Sequence, residues 1–198
     1  MLVFIEKRLV LLATPKAGST ALHMVLAPHA DMVFRNMPQV KHMGLQRYMR
    51  FVVPMLAQFS DAPLETCALI REPVAWLGSW YRYRSRPELN GTPRSTRGMD
   101  FESFVQDYLR RPSPAHAAVG AQGRFLTGPK GGGVVDVLFR HEAMPAFVDW
   151  LSARLDLPIE LPVVNRSPDG ALDMSQETRA RLHQERPRCF ALHAAARG

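Results

Sequence analysis

The sequence predicts a single α/β domain spanning residues 1–198, with a central parallel β-sheet flanked by helices. Three observations carry that prediction. Short, almost wholly apolar runs, RLVLLAT at 8–14, ETCALIR at 65–71 and VVDVLFR at 134–140, read as strands covered on both faces. Segments of helical period separate them, and such alternation is the pattern of parallel strands joined by right-handed crossovers. At 198 residues, 46% hydrophobic and 22% charged, the chain suits one folded domain and excludes disordered, collagen-like and bare coiled-coil proteins.

The elements follow in order. The run at 8–14 meets Pro15 and the turn-rich PKAGST, after which Leu22, Val25 and Leu26 recur at helical spacing. This is a strand, a loop of phosphate-binding type and a helix. DMVFRN at 31–36 reads as a second strand, and LQRYMRFVVPMLAQF at 45–59 as a helix broken near Pro54, which cannot donate an intrahelical hydrogen bond. The strand at 65–71 leads into PVAWLGSWYRYR, a helix with Pro73 at its first position. Residues 84–98, RSRPELNGTPRSTRG, have no apolar period and predict an exposed, mobile loop. Asp100 caps FESFVQDYL, and a less regular helix covers AHAAVGAQGRFL at 115–126 before the TGPKGGG turn. Beyond the strand at 134–140, Ala143, Phe147, Trp150 and Leu151 share one helical face; VVNRSPDG and a polar helix near SQETRARLHQE close the chain.

The 25 Lys and Arg against 18 Asp and Glu leave a net charge of +7, and all but four of the cations are arginine. An anionic partner is implied without saying whether it is a nucleotide, an acidic sugar or a nucleic acid. Cys67 and Cys189 are too few and too far apart for a disulfide framework or a zinc site, which suits a reducing compartment. No apolar window reaches the ~18 residues of a membrane span, and the charged start MLVFIEKRLV has no cleavage-site pattern. A soluble, cytoplasmic protein without a membrane partner is the expectation.

A loop between a buried strand and a helix is where open α/β sheets hold anions, because free N–H groups and the helix dipole converge there. Here it reads Thr14-Pro15-Lys16-Ala17-Gly18-Ser19-Thr20. The triphosphate loop G-x-x-x-x-G-K-[ST] needs lysine directly after its last glycine. This chain has Ser19 there, places its lysine earlier at Lys16, and shows no acidic strand end to hold magnesium. The loop therefore suits a phosphate-like group other than Mg-ATP. A second segment supports it: Arg71 ends the third apolar run, and Ser79 lies two turns into the following helix, so a guanidinium and a hydroxyl can share one phosphate.

PKAGSTAL after one buried strand and REPVAWLGSWY after another resemble the paired phosphate signatures of sulfotransferases that use 3′-phosphoadenosine-5′-phosphosulfate, PAPS. DFESFVQDYL, Gln122 in AQGRFL, VVDVLFRHEAM and VVNRSP extend the likeness, more weakly, toward the bacterial and carbohydrate branch. The resemblance implies that Pro15, Lys16, Ala17, Gly18, Ser19 and Thr20 cradle the phosphosulfate of PAPS, and that Arg71 and Ser79 hold its 3′-phosphate. The C-terminal Arg-Lys-Gly segment of the cytosolic branch is missing, so Arg94, Arg97, Lys130 and Arg166 are open candidates for the remaining contacts. The implied reaction moves a sulfuryl group to a hydroxyl of a carbohydrate or small metabolite by in-line displacement, with no metal required.

Such a transfer is mainly positioning and charge stabilisation. Lys16 is placed to neutralise the leaving oxygen. A base must take the acceptor proton, and His42 is the first choice, from its place in the segment where the family carries a Lys/His pair facing the acceptor; His116, His141, Glu72 and Glu142 stay open. Met37, Met43, Met49 and Met55, and the Trp76, Trp80 and Tyr81 cluster, read as packing, although an aromatic ring can flank adenine. The arginines of 82–97 are a solvated loop or a cover over PAPS or an acidic acceptor. The competing functions are a nucleotide kinase of the P-loop type and a nucleotide- or nucleic-acid-binding module without turnover, nucleic acid being the less favoured ligand.

Overall fold

The computed structural model describes residues 1–59, 61–162 and 172–198. Five strands form one sheet in the order β3-β1-β2-β4-β5: β1 (Leu2–Phe4), β2 (Leu9–Leu12), β3 (Met32–Val33), β4 (Glu65–Ile70) and β5 (Val137–Arg140). The sheet is mixed, which corrects the all-parallel expectation. Only β2, β4 and β5 run parallel, with Leu12 opposite Ala68 and Ala68 opposite Leu138. β1 pairs antiparallel with both β2 and β3. The turn at 5–8, closed by Arg8 N–H donating to Ile5 at 2.9 Å, makes a hairpin too short for any crossover. The second strand, expected over 31–36, is therefore a two-residue antiparallel edge, and β1 was unforeseen.

Side-chain alternation splits the core. Leu2, Phe4, Leu9, Leu11, Cys67, Leu69, Val137 and Phe139 point to one face. There they meet Leu22 and Leu26 of α1 (Ser19–Leu26) and Phe147 and Leu151 of α8 (Met144–Leu155), defined with the other helices below. Phe147 and Leu151 have no exposed surface, and each contributes about 1.5–3 kcal/mol by that burial. Val3, Val10, Leu12, Ala68 and Ile70 point the other way, onto Leu45, Tyr48, Val52 and Leu56. A third cluster lies beyond the sheet, built from α5 (Pro73–Arg84), α6 (Phe101–Leu109) and α9 (Gln176–Glu185) around Leu77, Phe104 and Leu182.

The remaining helices are short: α2 (Pro38–Lys41), α3 (Leu45–Arg47), α4 (Val53–Leu56), α7 (Gln122–Phe125) and α10 (Pro187–Ala195). The helix expected at 45–59 breaks earlier than its proline: a π-helical stretch, Tyr48–Val52, links α3 to α4, where Pro54 occupies the first turn and needs no donor. Of the irregular helix expected at 115–126 only α7 is helical. The segment 84–98 is largely exposed, as expected, but Arg84 still belongs to α5. Its far end is pinned, with the Thr96 hydroxyl donating to Tyr81 at 2.8 Å and Thr96 N–H to Arg84 at 3.2 Å. Asp100 caps α6 as expected, accepting from Ser103 N–H at 2.7 Å. VVNRSPDG and Arg166 lie outside the described residues.

Two further contacts fix the sheet's parallel edge. Asp136 accepts from the Thr66 N–H and hydroxyl, both at 2.7 Å, which sets the register of β5 on β4. The chain end then bridges to β5 beyond α10, Arg197 exchanging hydrogen bonds with Leu138 and Arg140 at 2.9 Å and covering part of an open edge. Among the described residues no helix is long and apolar enough to cross a membrane.

Candidate functional site

Because β2 and β4 are adjacent and parallel, the segments leaving their carboxyl ends emerge side by side. From β2 comes the Thr14–Gly18 turn into α1; from β4 come Arg71 and α5. The Arg71 guanidinium approaches the Lys16 carbonyl at 3.5 Å, and Trp76 Nε1 of α5 donates to the Pro15 carbonyl at 2.9 Å. Lys16 takes a left-handed φ of 62°, a conformation that costs a non-glycine residue free energy and here turns the chain toward α1. Gly18 is required twice over. Its φ is 78°, and a Cβ there would lie 2.5 Å from Met144 Cε, with the His141 ring at 3.5 Å. The start of α8 is thereby drawn against the same turn.

Cations gather here with no ion pair to a described residue, although Glu142 and Glu72 lie close enough to favour the charge on Arg71. Lys16 Nζ stands 4.3 Å from the Tyr83 ring centre and 5.7 Å from that of Trp80. Burial, then the repulsion of Arg86, Arg71 and Arg82, pushes the Lys16 ammonium down from its usual value to about 8. Burial and Arg82 lower the pKa of Arg71 in the same way. None of Lys16, Arg71, Arg82 and Arg86 forms an ion pair with a described residue. The nearby carboxylates are engaged elsewhere: Glu72 caps α5 at Ala75 N–H, 2.7 Å, while Glu142 accepts from Glu72 N–H at 2.9 Å and faces His193 at 3.1 Å.

Five buried side-chain polar atoms of the described residues lack any hydrogen-bond partner: Thr14 Oγ1, Arg71 Nε, Trp80 Nε1, Arg82 Nε and His141 Nδ1. All five belong to the segments that meet at the Lys16 turn. Buried polar groups are normally satisfied, and an orphan costs about 1–3 kcal/mol. Of these, Arg71 Nε, Trp80 Nε1 and Arg82 Nε can only donate and the Thr14 hydroxyl can donate, and they belong to segments beside a helix N-terminus that no side chain caps, an arrangement suited to an anionic acceptor.

Next to the turn opens a cleft of about 350 Å³, bounded by Pro15, His42, Trp76, Gln122, Arg47 and Arg124 among others. His42 Nδ1 lies 2.7 Å from the Ala13 carbonyl, which only accepts, so Nδ1 carries the proton and Nε2 keeps its lone pair. Burial outweighs that bond and lowers the His42 pKa, so the imidazole is neutral at pH 7. Gln122 forms the back wall, its amide clasping both backbone groups of Arg71 at 2.9 and 2.8 Å as a strand neighbour would.

The structure thus brings Pro15, Lys16, Ala17, Gly18, Arg71 and His42 around one locale. Ser19 begins α1 and is buried, whereas Thr20 is exposed. Ser79 is buried on α5, three residues beyond Trp76 and three before Arg82, and its hydroxyl makes no hydrogen bond to a described residue. Of the alternative bases, His116 is engaged by Asp107 at 2.8 Å, and His141 lies at the turn itself, with its pKa lowered by burial and Arg71. Glu72 and Glu142 have the structural duties described above. Arg94, Arg97 and Lys130 are exposed, on the 84–98 loop and the Gly-rich turn. Sequence reasoning counted Arg82 only among the arginines of a loop at 82–97 and left out Tyr83; both belong to α5, where Tyr83 sits seven residues after Trp76 on the same helical face and meets Lys16 Nζ, and Arg82 lies close enough to repel Lys16.

No family model, curated protein or solved structure matches this chain.

Proposed function

We propose that the protein is a PAPS-dependent sulfotransferase, moving a sulfuryl group to the hydroxyl of a carbohydrate or small metabolite. One observation carries the reading: the orphaned donors and unpaired cations collected around Lys16 suit a ligand with several phosphate-like groups, and a neutral imidazole stands in the adjoining cleft. In this reading Pro15 to Thr20 receive the phosphosulfate end, Arg71 with Ser79 and Arg82 receives the 3′-phosphate, and the cleft receives the acceptor.

His42 Nε2 takes the acceptor proton as the acceptor oxygen bonds to sulfur. The sulfur–oxygen bond to the 5′-phosphate breaks, and Lys16 neutralises the oxygen that leaves. Fixed donors that need no rearrangement during the step are the main source of rate enhancement in this design. Metal ions are not required by this donor set.

Incubation with PAPS and pooled hydroxyl acceptors tests the proposal: acceptors gaining the mass of one SO₃ group, with adenosine 3′,5′-bisphosphate released, support it. Tight binding of that bisphosphate without transfer would instead establish a nucleotide-binding module. Preference for ATP over the bisphosphate would return the kinase reading.

A further inference from the structure

We infer that the cleft beside His42 selects an acceptor carrying its own negative charge, a carboxylate or sulfate, gripped by Arg47 and Arg124. The inference rests on the transferase reading for the word acceptor, but its physical basis is separate from the Lys16 turn.

Three features of the cleft support it. Its volume, about 350 Å³, suits a ligand of one or two rings, and its lining contains Arg47 and Arg124 but no Asp or Glu. Neither guanidinium makes an ion pair or hydrogen bond with a described residue, so among the described residues nothing competes with a planar anion for either fork. They share the lining with His42 but come from separate elements: Arg47 closes α3, five residues after the histidine, and Arg124 belongs to α7, two residues after Gln122. The other contributions are those a sugar or aryl ring uses, namely the Trp76 and Phe125 rings and the Gln46 and Gln122 amides.

The chemistry also separates this cleft from the nucleotide region. At the Lys16 turn the cations are substantially buried and mutually repulsive, whereas Arg47 and Arg124 are exposed, as a site sampling exchangeable acceptors requires. An acidic acceptor would lie with its anion between the two arginines and a hydroxyl toward His42 Nε2.

The test compares 4-nitrophenyl β-D-glucuronide with 4-nitrophenyl β-D-glucoside, which differ only in the carboxylate, by calorimetry on the full chain. About tenfold tighter binding of the glucuronide is expected, from charge-assisted contacts in a partly open cleft. In the Arg47→Gln/Arg124→Gln double variant the preference disappears, while melting with the parent shows that the variant is folded. Equal binding of the two glycosides, no binding of either, or a preference that survives in the double variant overturns the inference. Adenosine 3′,5′-bisphosphate is titrated in parallel. If the glucuronide is preferred but the bisphosphate does not bind, the cleft stands and the transferase reading falls; bisphosphate binding with no glycoside preference has the opposite meaning.

Discussion

Two polar clusters in this molecule, one around a carboxylate and one around a lysine, end in opposite states. Between α6 and α9, Glu102 accepts from Ser175 N–H at 2.8 Å, the Ser175 hydroxyl at 3.0 Å, the Thr178 hydroxyl at 2.5 Å and Gln106 Nε2 at 2.8 Å. Its carboxylate is saturated, and the cluster ties two helices together. Around Lys16, by contrast, the cations form no ion pair with a described residue, and five buried polar atoms of the described residues have no hydrogen-bond partner. The difference separates polar groups that serve the fold from polar groups kept for something else. Satisfaction, rather than burial or charge, makes the distinction.

The largest effects should follow from removing the groups that act on the reacting atoms. Lys16→Ala is expected to lower the single-turnover transfer rate by about 10²–10³-fold, the usual consequence of deleting one preorganised charge or donor. His42→Gln is expected to lower kcat by about 10²–10⁴-fold. Because the folded pKa of His42 is below the ordinary value, the acid limb of the rate profile should fall below about pH 6.5, the unperturbed histidine value. A limb at or above that pH, or either variant at the parent rate, would break the contrast by making the turn as structural as the Glu102 cluster.

Next in size is affinity. Arg71→Met should weaken adenosine 3′,5′-bisphosphate by about ten- to a hundredfold, through loss of charge-assisted hydrogen bonds. The melting temperature of the ligand-free protein should change little, since burial and the repulsion of Arg82 and Lys16 disfavour this cation while Glu142 and Glu72 favour it. A large drop in melting temperature with unchanged affinity would reverse the assignment. Lys16 gives the matching pH test. Its folded pKa of about 8 lies below the ~10.4 of an unfolded lysine, so between these values the unfolded chain binds more protons. Ligand-free stability should therefore gain from this group as pH rises from about 8, and bisphosphate binding should weaken over the same range. Both follow from melting curves with and without ligand.

Much of this was legible in the sequence, for reasons specific to each residue. β2 and the second half of β4 announced themselves because strands buried on both faces are apolar at successive positions; β5 carries a similar apolar run but alternates between buried and half-buried residues, so it is covered fully on one face only. Pro15 to Gly18 and Arg71 could be placed together because parallel neighbours release their loops at one edge. What escaped was short or non-local. β1 has only three residues, and its hairpin contains the charged Glu6, Lys7 and Arg8, so the pattern gave no sign of an antiparallel partner. The π-helical break at Tyr48–Val52 precedes the proline that signals it. The contribution of Arg82 was hidden within an arginine-rich stretch, where nothing local distinguishes a solvated side chain from one with an orphaned Nε.

The smallest expected effect is also the sharpest check on the comparison. Glu102 is only half-buried, at the protein surface, so even four hydrogen bonds should contribute only about 1 kcal/mol, and Glu102→Gln, which turns half an acceptor into a donor facing donors, should lower the unfolding free energy from denaturant curves by no more than that. The bonds from Thr178 and Ser175 hold the Glu102 carboxyl below its usual pKa. A depressed carboxylate pKa gives stability that is present above the unfolded value of about 4.3 and is lost as pH falls through the folded one. The difference between parent and variant should accordingly be visible at pH 6 and fade in acid below that unfolded value. Bisphosphate affinity should be the same in both, because a satisfied carboxylate between α6 and α9 has nothing left to offer a ligand. A Glu102→Gln protein that lost affinity as Arg71→Met does would mean that saturation does not separate scaffold from site.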